Sequence, residues 1–272
     1  MRKHPSALVA AAFFGVSALA LRPAAAENAA VPSRAVSKTL PLAAGEGVTV
    51  DTYKGSVRVT AGEGEGVSVE AKIVADDGDC GSASEQARRV EQTRVDVVKA
   101  AGGVAITSNY DALDASAHAF FGCTARPFVH YVIHMPKSAR LRIKDYKSEL
   151  SVRGLEADLQ VDTYKGRLDV AALAGGLDVE TYKGEVNASI TRLAGDISAQ
   201  TYKGSIVLHL PGSAGFELSA DIGRRGALRS DFATTVATGS ARRTELSRAT
   251  VNGGGPRVSL KTDKGFLAVR KG

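Results

Sequence analysis

Four near-copies of one pentapeptide set the tightest limit on what this chain can fold into. DTYKG stands at 51–55 and 162–166, ETYKG at 180–184 and QTYKG at 200–204. Each copy sits in a longer frame, apolar–x–apolar–x–Thr–Tyr–Lys–Gly–x–apolar–x–apolar, as in LQVDTYKGRLDV (159–170) and LDVETYKGEVNA (177–188). LRIKDYKSELSV (141–152) and VSLKTDKGFLAV (258–269) keep the frame with altered corners, and FELSADIGRRGALR (216–229) is a more eroded copy. Tyr146, Tyr164 and Tyr182 are 18 residues apart, and Tyr202 follows after 20. A fixed short period marks a stacked repeat architecture and takes precedence over any local motif.

Within each unit the apolar period is two. Leu159, Val161, Leu168 and Val170 fall on one side, with Gln160, Asp162, Arg167 and Asp169 opposite, which is the alternation of half-buried strands and not of a helix. AALAGG (171–176) and RLAGD (192–196) supply a second turn, so each unit holds two short strands and two corners. One unit cannot bury its apolar face alone, so copies must stack. The expected fold class is all-β: a β-solenoid of two-strand repeats of 18 to 20 residues, carrying a short helix and hairpin insertion. An antiparallel meander or sandwich of hairpins is the competing arrangement.

Residues 1–26 have the layout of a secretory signal peptide: a basic start at Arg2 and Lys3, an apolar run from Ala7 to Leu21, and Ala24 and Ala26 before the expected cut. The apolar run is shorter than the roughly 20 residues a membrane-spanning helix needs, and no transmembrane segment is expected in the mature chain. A linker at 27–35 and one β-rich domain at 36–270 follow. The domain divides into an irregular part, 36–138, with an insertion at 76–124, and a repeat array, 139–270. Within the irregular part ASEQARRVEQ (83–92) reads as a surface helix, TRVDVVKAAGGVAITS (93–108) as a hairpin, and RPFVHYVIHMP (126–136) as a strand.

Removing 1–26 takes away three basic residues and no acid, leaving 32 Lys and Arg against 29 Asp and Glu, a net charge of +3. Nucleic-acid partners need a concentrated basic face, and Trp is absent, so no nucleic acid is expected. Cys80 and Cys123 are the only cysteines. In an oxidising compartment a disulfide between them is favoured, worth roughly 4 kcal/mol on the chain-entropy account. A metal pair with histidine, or two buried thiols, are the alternatives. His118 lies near Cys123 without a known ligand spacing, and His130 and His134 share one face of a strand. DDGD (76–79) lacks the remaining spacing of a calcium loop. No metal or cofactor is expected, and there is no G-x-S-x-G elbow or other nucleophile motif.

The frame of apolar–x–apolar–x–Thr–x–x–Gly–x–apolar–x–apolar behind a signal peptide resembles the bacterial "putative adhesin" domain family, on TYKGSV, TYKGRL, TYKGEV, TYKGSI and TDKGFL. The resemblance covers most of 36–270. It implies an extracytoplasmic β-solenoid, an envelope or surface location, and binding in place of chemistry. That family usually places Asn or another small polar residue before the glycine, so the Tyr-Lys pair is a departure.

Folding accounts for most of the motif: glycine for a left-handed turn position, threonine for strand preference, and tyrosine for a stacked ladder. The lysines lack such a reason, since like charges about 5 Å apart repel by roughly 0.8 kcal/mol even at the dielectric constant of water. Tyr146, Lys147, Tyr164, Lys165, Tyr182, Lys183, Tyr202 and Lys203 are therefore the candidate ligand-binding residues. An anionic envelope polysaccharide, with tyrosine faces against its sugar rings, is the expected partner. A scaffold binding another protein, and a polysaccharide-cleaving enzyme, are the other readings.

Overall fold

The computed structural model describes residues 31–76, 81–116, 125–223, 227–232, 237–241 and 244–272. The signal-peptide segment, Cys80, Cys123 and His118 lie outside these, and so does the expected disulfide. The N-terminal part contributes β1 (Ser33–Pro41), β2 (Gly47–Asp51), β3 (Lys54–Gly62) and β4 (Gly66–Val74). Next come α1 (Ala83–Gln92), β5 (Arg94–Ala100), β6 (Gly103–Asn109), α2 (Asp111–Ser116) and β7 (Phe128–Pro136). The repeats form β8 (Arg140–Arg153), β9 (Leu159–Leu173), β10 (Leu177–Ile190), β11 (Ile197–Lys203) and β12 (Ile206–Leu210). The chain ends with β13 (Phe216–Ile222), β14 (Ala227–Ser230), β15 (Ala237–Ala241), β16 (Thr244–Val251), β17 (Arg257–Lys264) and β18 (Phe266–Lys271). No helix among the described residues is long and apolar enough to cross a membrane.

The repeats stack as parallel rungs, each made of a first arm, the Tyr-Lys-Gly corner and a second arm. Leu159 pairs with Leu141 and Leu177, Leu168 with Leu150 and Val186, and Lys165 with Lys147 and Lys183. Copies of the motif are thus in register, as the period requires, and the β-solenoid reading holds over the hairpin sandwich. In β8, β9 and β10 the strand runs unbroken through the corner. Inward residues of both arms are almost fully buried, with Leu159 and Val161 at 1% and Leu168 at 2% exposure, and they join a single core. Burying one such side chain contributes about 1.5–3 kcal/mol, which is why every rung repeats the alternation.

The order of rungs departs from chain order at both ends. β2 and β3 stack directly on β8, with β6 and β7 outside them. At the other end β17 and β18 sit against β11 and β12, and β13 and β14 stack outside β17 and β18. Antiparallel strands then cover the stack: β4 on β7 with β1 beyond it, β5 on β6, and β16 on β13 with β15 beyond it. α1 begins with a capping box in which Ser82 and Glu85 bond reciprocally.

Candidate functional site

The corner is built from inside outward. Its threonine points into the core: Thr52, Thr163, Thr181, Thr201 and Thr262 are all buried. Thr262 Oγ1 donates to the Gly204 carbonyl of the next rung at 3.0 Å, and Thr52 Oγ1 lies 2.9 Å from Ser108 Oγ. Thr181 Oγ1 has no hydrogen-bond partner among the described residues. The corner threonine therefore supplies a buried hydroxyl besides its strand preference.

The glycine has two reasons where the sequence showed one. Gly166 has φ +144, and a Cβ there would lie 2.0 Å from the Ser148 carbonyl of the neighbouring rung. At Gly265 the backbone is not left-handed, yet a Cβ would lie 1.8 Å from the Gly204 carbonyl. Close approach of stacked backbones excludes a side chain in both conformations.

β8 replaces the threonine by Asp145 and the glycine by Ser148, and the two changes belong together. Asp145 accepts from the Ser148 amide at 2.8 Å, from Ser148 Oγ at 2.6 Å and from Thr163 Oγ1 at 2.8 Å. Burial pushes the carboxyl pKa up, and outweighs these hydrogen bonds, which pull it down. A raised folded-state pKa gives a stabilising contribution that is full below the unfolded value and is lost as pH rises through the folded one. Relative to Asp145→Asn, the wild type should therefore be most stable near pH 4 and lose ground toward neutrality. Thermal melts of both proteins across that range check this. A wild-type advantage that grows with pH would mean that the hydrogen bonds dominate.

Outside the corner, the tyrosines form one ladder. Ring centroids are 5.0 Å apart for Tyr146–Tyr164 and Tyr164–Tyr182 and 5.1 Å for Tyr182–Tyr202, with planes within 9° of parallel. Tyr53 extends it, 4.8 Å from Tyr146, and is met edge-on by Tyr110 and covered by the Arg126 guanidinium at 4.5 Å. Tyr146 to Tyr202 are each about two-fifths exposed, but through their edges and hydroxyls. Within the ladder their faces are occupied by one another, and the outer face of Tyr202 is met by Lys264 Nζ at 5.0 Å, so stacking of a sugar ring on a tyrosine face, expected from the sequence, has little room.

The lysines are also in register: Lys147, Lys165, Lys183, Lys203 and, from β17, Lys264. At about 4.8 Å per rung this row extends over roughly 19 Å. Lys165 Nζ lies 5.0 Å from the Tyr164 ring centre, Lys183 Nζ 5.8 Å from Tyr182, and Lys264 Nζ 5.0 Å from Tyr202. Such contacts are worth about 0.5–1 kcal/mol at exposed sites, the size of the nearest-neighbour repulsion. The row therefore stands at little net cost. The sequence missed Lys264, whose rung carries Asp263 where the others have tyrosine. Lys54, on the same line, is buried, paired with Asp76 at 2.6 Å and set over the Phe128 ring at 4.2 Å. Asp76, the first residue of the DDGD stretch, is in this way tied to the corner.

Grooves flank this crest. On the tyrosine side one of about 530 Å³ is bordered by Asp162, Glu180, Gln200 and the tyrosine edges, with Lys144 and Lys261 at its ends. On the lysine side one of about 500 Å³ is bordered by Arg58, Lys147, Lys165 and Arg167. A larger groove, about 890 Å³, lies where the first arms begin. Two of its carboxylates are engaged in the stack: Asp158 accepts from the Gly176 amide, and Asp196 from the Arg257 amide and side chain. His130 and His134 share the outward face of β7, and His130 Nδ1 lies 3.0 Å from Ser56 Oγ.

Against known proteins, the family model described as Toastrack DUF4097 matches residues 22–265. No curated protein matches the chain. Among solved structures, a "putative cell adhesion protein" from Clostridium sporogenes superposes with a TM-score of 0.50 at 10% identity. That alignment covers 88% of this chain and 100% of the other, and it shows a shared fold. A "putative lipid binding protein" from Parabacteroides distasonis aligns with a TM-score of 0.20 at 8% identity, over 87% of this chain and 97% of that one.

Proposed function

This chain belongs to the Toastrack DUF4097 family, and from that premise we propose that it is an exported, non-catalytic binding protein of the bacterial cell envelope. Its contact surface is the tyrosine–lysine crest and its ligand an anionic envelope polysaccharide. The observation that carries this reading is the register of five exposed or half-exposed lysines on consecutive rungs, Lys147, Lys165, Lys183, Lys203 and Lys264. A linear polyanion laid along the solenoid axis meets one ammonium group per rung and a phenol edge on each rung but that of Lys264, which carries Asp263. Ring faces being closed, recognition proceeds through tyrosine hydroxyls and lysine charge. The signal-peptide layout of residues 1–26 supports periplasmic or extracellular placement.

The test is the triple substitution Lys165→Gln, Lys183→Gln and Lys203→Gln, assayed on immobilised lipopolysaccharide and polygalacturonate. Exposed side chains of this kind seldom matter to stability by more than about 0.5 kcal/mol each, so the melting temperature should hold. Binding should fall by about tenfold or more. Wild-type binding should weaken with added salt, because the screening length is about 8 Å at physiological ionic strength and shorter above it. Full retention of binding by the triple variant would reduce the lysine row to solvated decoration.

A further inference from the structure

Cations are not evenly available along the crest. Beside Lys183 and Lys203 the second arm offers Glu185 and Ser205. Beside Lys147 and Lys165 it offers Arg167 from β9 and Arg58 from β3, and these four line the lysine-side groove together with Phe128, Ser56, His130 and Glu149. Arg58 is brought there by the parallel pairing of β3 with β8, which sets Ser56 beside Glu149 and Arg58 beside Ser151. Arg167 is partly neutralised, its Nε lying 2.7 Å from Asp169 Oδ2. Arg58 and Lys147 carry no ion pair among the described residues. The local balance is four cations against Glu149, with Asp169 adjoining.

We propose that this groove is the anion subsite of the ligand: it takes a sugar unit bearing one carboxylate or phosphate, held by Arg58, Lys147 and Lys165, with half-buried Phe128 beside the ring. The inference rests on the envelope-binding reading above and locates its specificity at one end of the crest. Arginine suits the role because its planar fork binds two oxygens of a carboxylate or phosphate through parallel N–H bonds in fixed geometry, whereas a lysine acts as a point charge. His130, which lines the same groove, has its pKa lowered chiefly by burial, with Arg58 and Lys72 acting in the same direction and Glu149 against them. The phenylalanine, with Lys54 Nζ over its ring at 4.2 Å and His130 stacked 6.1 Å away, offers an apolar edge outside the tyrosine ladder. None of these partners belongs to the Tyr-Lys-Gly motif except the two lysines, so the subsite is a product of rung order.

Titration calorimetry of the mature protein with trigalacturonate, mannose 6-phosphate and neutral cellotriose tests the assignment. Arg58→Gln with Lys147→Gln should weaken binding of the charged probe at least tenfold. Arg140→Gln with Arg142→Gln removes the same charge from β8 and its surroundings on the far side of the crest, and should change binding less than twofold. Cellotriose should bind no better to the wild type than to the Arg58/Lys147 variant. Preference for trigalacturonate or for mannose 6-phosphate identifies the anion as carboxylate or phosphate. Equal losses in the two double variants, or a greater loss from Lys183→Gln with Lys203→Gln, would overturn the subsite while leaving crest binding of polymers intact. Failure of the wild type to bind either charged probe, with polymer binding retained, would overturn it as well.

Discussion

Gly166→Val should destabilise the protein by about 3–5 kcal/mol, combining strained backbone with overpacking against a neighbouring strand. The residue has φ +144, and the added Cβ would stand 2.0 Å from the Ser148 carbonyl oxygen and 3.1 Å from its carbon. The obstacle is backbone that cannot rotate away, since β8 and β9 are held in register on both sides of the corner. Gly102→Ala is the internal comparison: φ is +88, but nothing lies within 4 Å of the added atom. It should cost only about 1 kcal/mol, the left-handed penalty alone. Urea denaturation of the two variants measures the difference. If they came within a few tenths of a kcal/mol of each other, rung spacing at the corner would be looser than the stacking implies.

Phe216→Ala should cost about 3–5 kcal/mol, the range for removing a large aromatic from a packed core. Phe216 is fully buried on β13 and meets Phe232 edge-on with centroids 5.2 Å apart. The middle rungs fill their interior with Leu, Val, Ile and Ala, because each has a rung above and below. The end rungs are covered on one side by antiparallel strands in place of another rung, and they use aromatics, Phe216 and Phe232 at one end, Tyr131 and Tyr110 at the other. In a stacked array stability is a sum of units and nearest-neighbour interfaces, so the loss should be felt locally first. Amide exchange of the variant should accelerate in β13 and β14 before it does in β9 and β10. Uniform acceleration through all rungs would show instead that the stack unfolds as one unit.

The repeated corner gave the arrangement of β8 to β12 directly: an apolar period of two fixed the arms, and the 18-residue spacing fixed the register that joins Tyr146, Tyr164, Tyr182 and Tyr202. The helix at 83–92 and the hairpin after it were also legible, from a run of charged residues without strand alternation and from the turn at Gly102 and Gly103, whereas the Ser82–Glu85 capping box was not read from the sequence. What the candidate site looks like was only half legible. The eight Tyr and Lys residues do form one crest. Yet Tyr53 and Lys264 join its line from rungs far away in sequence, and the closed ring faces follow from a 5 Å spacing that no single motif reveals.

The physical reason lies in what each kind of information constrains. Alternation and turn residues act over a few positions, and determine which residues are strand, which face is buried and where the chain bends. They leave open which rung lies beside which, because every rung presents nearly the same apolar edge. That choice was made by the ends. β17 fits between β11 and β13 and β18 between β12 and β14, while β2 fits between β6 and β8 and β3 between β7 and β8, and the outermost rungs are covered by antiparallel strands and carry buried aromatics. Through that order the tertiary structure alone buried Lys54 against Asp76 and brought Arg58 beside Lys147. The sequence by itself determined a solenoid with a tyrosine–lysine edge; the packing of its ends decided where along that edge the charges converge.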